Sequence, residues 1–501
     1  MTHSALLPLS STRVAERIRA ALDKTLRTET YQDPQESAER GRALRKQLSR
    51  SGQAAFELAQ DRPDPVALLK EQGKTRLQAL LPLRYERMGV SPFTFFRGAA
   101  LIMAQDLSAL PTTGIEVQLC GDAHVSNFGF YSSPERRTVF DLNDFDETLR
   151  GPWEWDVKRL AASLEICGRD RDFGSAATRE AVVASAQAYR ETMAELATMG
   201  NMDVYYAHFD VDDALLQGFD KSITKQEDKV LRKTVSKAKA KGSLRAVSKL
   251  TEVEDGKLRI ISDPPVLVPA RDAPEEFADA ARKIVGGTDM ADFVDRVLTE
   301  YRLTLSPTKR RLVEQYRGVD VGLKVVGVGS VGTRAWIVVL QGAGVDDPLV
   351  LQIKEAQESV LERFCGRAPQ HEHGKRVVDG QRAIQAVSDP LLGWCSLPDI
   401  EGVRHDYYVR QLWDGKGSLD LDIISEAGLL SLARACGITL ARAHARTGNR
   451  FALAAYLGKS DKFDNAIADF AAAYADQNER DYQRFMEARE AGELEVSAER
   501  A

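Results

Sequence analysis

Residues 114–156 read GIEVQLCGDAHVSNFGFYSSPERRTVFDLNDFDETLRGPWEWD. Ile115, Val117 and Leu119 alternate with polar neighbours, the pattern of a half-buried strand, and this strand delivers the loop Gly121-Asp122-Ala123-His124-Val125-Ser126-Asn127. A second short strand, Thr138 to Leu142, delivers Asp144, Asp146 and Glu147. Carboxylates crowded at two adjacent strand ends repel one another unless a cation lies between them or one holds a proton. Magnesium is the economical explanation. Asn127 and Asp144, with Asp146 beside them, offer hard oxygen ligands suited to a small ion that shares its shell with a phosphate. Asp122, five residues before Asn127, is left free to accept a proton, with His124 as its catalytic neighbour.

The spacing Asp-x-x-x-x-Asn, followed after a short hairpin by Asp-Phe-Asp, resembles the catalytic and metal-binding loops of protein-kinase-like phosphotransferases. The aminoglycoside and choline kinase branch is closer, with its Gly-Asp-x-His-x-x-Asn loop matched here by Gly121, Asp122, His124 and Asn127. Gly151-Pro152 and then Asp156, opening an apolar helix, resemble the element that braces the catalytic loop in those enzymes. Cys120 departs from the pattern, standing where a histidine or another polar residue is common.

Further along, residues 322–356 read GLKVVGVGSVGTRAWIVVLQGAGVDDPLVLQIKEA. Gly327, Gly329 and Gly332 form Gly-x-Gly-x-x-Gly, but the following Ala335 to Leu340 continues as strand, which disfavours a dinucleotide-binding βαβ unit. A hairpin over nucleotide phosphates with Lys354 on the next strand resembles a kinase small lobe, Leu-Gln-Ile-Lys standing for Val-Ala-Ile-Lys. Arg334 stands where an apolar residue is common. The resemblance implies an acidic partner for Lys354, and both Glu358 and Asp379 are candidates. It also makes the strand Tyr407 to Leu412, with Gln411, and the turn Trp413 to Gly417 the connection where backbone groups meet an adenine.

The glycine loop and lysine follow the catalytic aspartate by about two hundred residues, an inversion that a circular permutation explains. The expected fold is α+β, a permuted two-lobed kinase-like fold with an enlarged helical lobe. Its parts are an N-terminal helical extension (1–79), the catalytic-loop and metal-site part of the large lobe (80–200), a helical and hairpin insert (201–315), the small lobe (316–416) and C-terminal helices completing the large lobe (417–501). Through SPFTFFRG, GDAHVSNFG, FDLNDFDE, GPWEWDVKRLA and YYVRQLWDGKGS the sequence also resembles a bacterial family, domain of unknown function 2252.

In the remaining text, Phe93, Phe95 and Phe96 read as core, and Arg84, Arg87 and Arg97 as surface or carboxylate-paired residues, unless one of them meets a phosphate or substrate carboxylate. Trp155 to Cys167, Ala176 to Met199, Leu429 to Ala445 and Asp461 to Ala491 carry helical periodicity. Lys221, Lys225, Lys229, Lys233, Lys237 and Lys241 make one cationic helix face, solvated or docking an acidic partner. A net charge of -6 over 501 residues gives no support for general nucleic-acid binding. Five scattered cysteines without a Cys-x-x-Cys pair argue for reduced thiols, and no stretch is apolar enough to span a bilayer, so the expectation is a cytoplasmic protein.

The expected activity is an ATP- and Mg2+-dependent transfer of phosphate to a hydroxyl of a small molecule or protein. Three rivals stand beside it: a metal-dependent hydrolase built on Asp122, His124, Asp141 and Asp144, a nucleotide-sensing pseudokinase or regulatory module, and nucleotidyl transfer.

Overall fold

The computed structural model describes residues 31–211, 247–272, 290–325, 327–398, 402–412, 417 and 419–495. The Lys221–Lys241 face and positions 413–416 of the expected interlobe turn lie outside these residues.

The fold is mixed α+β. In chain order the described strands are β1 (Glu116–Leu119), β2 (Phe128–Ser132), β3 (Thr138–Leu142), β4 (Leu149–Pro152), β5 (Phe209–Asp210), β6 (Thr251–Glu254), β7 (Lys257–Ile260), β8 (Leu267–Pro269), β9 (Arg317–Lys324), β10 (Ala335–Gln341), β11 (Pro348–Ala356), β12 (Gly393–Pro398) and β13 (Arg404–Gln411). Six of them form one antiparallel sheet in the order β12-β13-β11-β10-β9-β8. β1 pairs with β4, β2-β3-β5 form a three-stranded sheet, and β6-β7 form a hairpin.

Every residue of β10 is buried. Trp336, Val338 and Leu340 pack toward the Met290–Leu303 helix, among Val297, Leu298 and Tyr301. Ile337 and Val339 pack on the opposite face with Leu258 and Ile260 of the β6-β7 hairpin. A strand covered on both faces needs apolar residues at every position, which is why AWIVVLQ shows no alternation.

The helical body is built from Glu154–Asp170, Ser175–Leu196, Glu426–Thr447 and Lys462–Glu490, which contain most of the expected helical stretches. Trp153 is wholly buried among them, stacked on Tyr189 with ring centroids 5.6 Å apart and met edge-on by Tyr456. Buried aromatic pairs of this kind add about 0.5–1.5 kcal/mol beyond their area.

Ahead of the Asp122–Asn127 loop run the helices Pro65–Gly73, Leu81–Met88, Pro92–Gly98 and Ala100–Ser108. Val66, Leu69, Tyr85 and Phe95 share a cluster with Phe485 of the last long helix, and Phe93 and Phe96 are buried as expected. Arg84, expected at the surface or paired with a carboxylate, is fully buried and among the described residues meets no carboxylate, donating instead to Gln72 Oε1 at 2.7 Å and the Gly98 carbonyl at 3.1 Å. Among the described residues no helix is long and apolar enough to cross a membrane.

Candidate functional site

A cavity of about 350 Å³ opens between the β1–β4 region and the six-stranded sheet, within the range of small-molecule pockets. Its walls come from four stretches far apart in sequence: Glu71–Leu101, Asp122–Glu147, Gly327–Thr333 and Glu355–Arg363.

The Asp122 wall is pinned by charges on its own following helix. Asp156, in the first turn of Glu154–Asp170, accepts from the backbone N–H of Cys120 at 2.7 Å and of Gly121 at 3.1 Å. His444 Nε2 lies 3.4 Å from the same carboxylate and its Nδ1 is 2.9 Å from Tyr189 Oη, which makes His444 a packing residue of this brace. Gly121 has φ +89°, and a Cβ there would lie 2.2 Å from the Glu147 carbonyl oxygen, so only glycine lets the two loops touch. Asn127 Nδ2 donates to the Asp122 carbonyl at 2.7 Å, and the Asn143 N–H donates to the Asn127 carbonyl at 2.9 Å. The Asn127 amide is thereby oriented and the loop is tied to the strand end that carries Asp144.

Arg159, which the sequence reading passed over, meets Asp122 directly. Its Nε donates to Asp122 Oδ1 at 2.8 Å, its Nη2 donates to the Phe96 carbonyl, and its plane covers the Phe96 ring at 3.8 Å. Burial nevertheless outweighs this guanidinium and pushes the Asp122 carboxyl up to about 6. The His124 ring lies 3.6 Å from Asp122 Oδ2, and burial, followed by the cationic Arg97 and Arg159, depresses its proton affinity well below the ordinary value. His124 is therefore a neutral ring beside Asp122. Helical spacing was the available signal for Arg159: it stands three residues after Asp156, on the helix that braces the loop.

Behind the opposite wall, outside the cavity lining itself, Lys354 is 1% exposed near the end of β11. Its ammonium is paired with Asp146, lies 3.0 Å from Ser330 Oγ and 4.0 Å from Asp144 Oδ2. Tyr408 Oη donates to the other oxygen of Asp146 at 2.8 Å. Burial drives the Asp146 carboxyl up, but Lys354 and the Tyr408 hydroxyl overcome it, and the carboxyl ends below its usual range. For Lys354 the burial penalty is likewise overcome, by Asp144 and Asp146, and its proton is held more tightly than usual.

Several expectations are corrected here. The partner of Lys354 is neither Glu358 nor Asp379. Glu358 lies in the cavity wall beyond β11, and the Asp379 carboxylate accepts from Gln370 Nε2 at 3.3 Å on the His373–Ile384 helix. Glu355 faces away from Lys354, as strand neighbours do, and binds Arg334 at 2.9 Å and His405 at 3.3 Å. Arg334 is thus the partner of Glu355 at a paired strand end. Asp146, expected as a metal ligand, has both oxygens engaged by Lys354 and Tyr408. Gly327 and Gly329 line the cavity, whereas Gly332 does not and gives its carbonyl to the Leu77 N–H at 2.8 Å. Gln411 also lies off the cavity lining; its N–H donates to Asp389 Oδ2 at 2.7 Å. Asp141 belongs to a different neighbourhood, buried against Arg442 Nη2 at 2.5 Å, so the four-residue hydrolase set is not assembled.

Asn127 and Asp144 remain as oxygen donors facing the cavity, Asp144 with 34% of its side chain exposed. Among the described residues no group of three His, Cys, Asp or Glu side chains converges as a ready metal cage. Two oxygen donors suit magnesium, which commonly takes one or two protein ligands and fills its shell with water and phosphate.

The two walls are stitched together by Arg376 of the His373–Ile384 helix. Its guanidinium donates to the carbonyls of Thr148 (2.6 Å), Asp146 (2.9 Å) and Gln357 (2.8 Å). Glu147 adds a bond from the Val360 N–H at 2.7 Å. At the far end Gly417 exchanges two backbone bonds with Phe130 of β2, at 2.7 and 2.8 Å.

In comparison with known proteins, the sequence profile of a family described as an uncharacterized protein conserved in bacteria matches residues 76–488. No curated protein and no solved structure matches the chain.

Proposed function

The chain belongs to that bacterial family, DUF2252, and from this premise we propose that it is an ATP- and Mg2+-dependent phosphotransferase with a permuted kinase-like architecture. The observation that supports this most is the meeting of Lys354 with Asp144 and Asp146, two hundred residues earlier in the chain, carboxylates that line one cavity with Asp122, Asn127 and a glycine-rich turn. A lysine on the strand after a glycine hairpin, facing a metal-binding carboxylate, is the arrangement that grips a nucleotide triphosphate.

In this reading Gly327 and Gly329 cover the phosphates and Lys354 leaves Asp146 for them. Asn127 and Asp144 would hold magnesium, which supplies charge neutralisation at the phosphate oxygens. Asp122 accepts the proton of the acceptor hydroxyl as the new O–P bond forms. The bond from the γ-phosphorus to the bridging oxygen breaks, and its electron pair leaves with ADP. Alignment and charge neutralisation carry most of the gain in such transfers, and a positioned base adds about 10²–10⁴-fold.

The test is calorimetry with Mg-ATP combined with γ-labelled transfer. Asp122→Ala is expected to abolish turnover while nucleotide binding persists; Asp144→Ala is expected to weaken Mg-nucleotide binding itself. Equal nucleotide affinity in wild type and Asp144→Ala counts against the assignment. The contact between Arg159 and Asp122 favours a second reading, a nucleotide-binding module in which the base is held as an ion pair. In that case Mg-ATP binds and the label never moves.

A further inference from the structure

We propose that the acceptor is a small anionic hydroxyl compound and that Arg97 is the residue that binds its negative group, a reading that rests on the phosphotransferase assignment. Arg97 closes the Pro92–Gly98 helix and lines the cavity. Its Nε is buried without a hydrogen-bond partner, and among the described residues its guanidinium makes no hydrogen bond or ion pair. Arg97 is half-buried: Asp122 and Asp422 act on its charge from beyond hydrogen-bond range, and a guanidinium that stays charged and has donors to spare at a cavity wall suits an anionic group there.

Position separates this anion from the nucleotide phosphates. The charge of Arg97 acts on Asp122 and on His124, so it sits on the proton-accepting side of the cavity, whereas the phosphate-gripping Lys354 sits against Asp146 and Ser330. The Arg97 carbonyl lies 3.1 Å from where a Cβ on Gly329 would be, which places the residue at the tip of the glycine turn. An acceptor whose hydroxyl points at Asp122 therefore offers its other end to Arg97. A guanidinium fork binds a carboxylate or phosphate through paired N–H donors.

The glycine turn is also held from outside. Arg76 Nη1 donates to the Val331 carbonyl at 2.6 Å, Arg87 Nη1 to the Gly327 carbonyl at 2.7 Å, and Leu77 N–H to the Gly332 carbonyl. The helices just before Arg97 thus fix the glycine turn beside it, and the cavity of about 350 Å³ is of a size for a small molecule.

The experiment uses the full-length protein, γ-labelled Mg-ATP and a bacterial small-molecule extract separated by anion exchange. Wild type is expected to label a compound from the anion-retained fraction. Arg97→Gln is expected to raise the KM for that purified acceptor about 10–100-fold while the KM for Mg-ATP stays within about twofold; the fold-change corresponds to the weight of a lost charged hydrogen bond. Arg97→Lys should recover part of the loss. Label entering a compound of the unretained fraction, or a protein, overturns the proposal while leaving the phosphotransferase reading intact. So does a KM for Mg-ATP that rises as far as the acceptor KM in Arg97→Gln, which would place Arg97 on the nucleotide. Absence of Mg-ATP binding, in contrast, removes the phosphotransferase reading and this inference with it.

Discussion

The two walls of the cavity use the same chemistry to opposite ends. Asp122 is bonded by one guanidinium, with that of Arg97 acting on it from farther off, and burial prevails, leaving its carboxyl at about 6. Asp146 faces an ammonium and a phenol, and they prevail over burial, leaving its carboxyl below its ordinary value. Burial is common to both, so the number and closeness of donors decides which carboxylate gives up its proton readily and which can take one. The walls also differ in how they are held. The Asp122 loop is fixed by a carboxylate and an arginine from the very next helix, whereas Lys354 is placed by strand pairing and meets its partner only through long-range folding.

The largest break in this comparison should come from Lys354→Met, which takes from Asp146 its paired ammonium and leaves Arg410, farther off, as the cation acting on Asp146 and Asp144. Removing one partner of a buried pair costs about 3–5 kcal/mol. The denaturation midpoint should fall accordingly, and an unchanged midpoint would mean that Tyr408 and Arg410 suffice for Asp146. Asp156→Ala should come next, at roughly 3 kcal/mol, because two buried N–H groups lose a charged acceptor. Hydrogen exchange at Cys120 and Gly121 should accelerate while β10 stays protected; uniform acceleration would show that the brace serves the whole body and not the loop.

Asp122→Asn should move stability the other way. The folded carboxyl at about 6 lies above the ordinary 3.8, so ionisation opposes folding. Below 3.8 the group is neutral in both states and there is no penalty; the penalty grows between 3.8 and about 6 and is constant above. At pH 8 the asparagine variant should gain up to roughly 3 kcal/mol, with the gain vanishing near pH 4. A gain that does not depend on pH would assign it to packing. The smallest effect belongs to Arg87→Ala, below about 1 kcal/mol, since it removes one exposed bond to Gly327. A loss of several kcal/mol there would show that the roof over the glycine turn is as rigid as the Asp122 brace.

The helices Glu154–Asp170, Ser175–Leu196, Glu426–Thr447 and Lys462–Glu490 were legible because each buries a stripe whose period is written in consecutive residues. So was the continuous apolar run of β10. The Asp122–Asn127 loop was legible as well, since the residues that shape it lie within a few positions of one another. The partner of Lys354 was not. Choosing among Asp146, Glu358 and Asp379 requires knowing which way the side chain at the end of β11 points and what folds against it. Arg376 escaped for the same reason, since it acts on groups distant in sequence, and Arg97 was legible only as one of three arginines open to an anion.

Local order alone therefore determined the mixed α+β character, the long helices, the strand ends that carry the acidic residues and the absence of a basic surplus. These follow from periodicity, composition and short-range sterics. Only the tertiary structure decided that Lys354 answers to Asp146, that Asp141 belongs to Arg442 and that Arg97 lines the same cavity as Asp122. Charges choose partners by distance and by shared exclusion from water, and neither quantity exists until the chain has closed on itself.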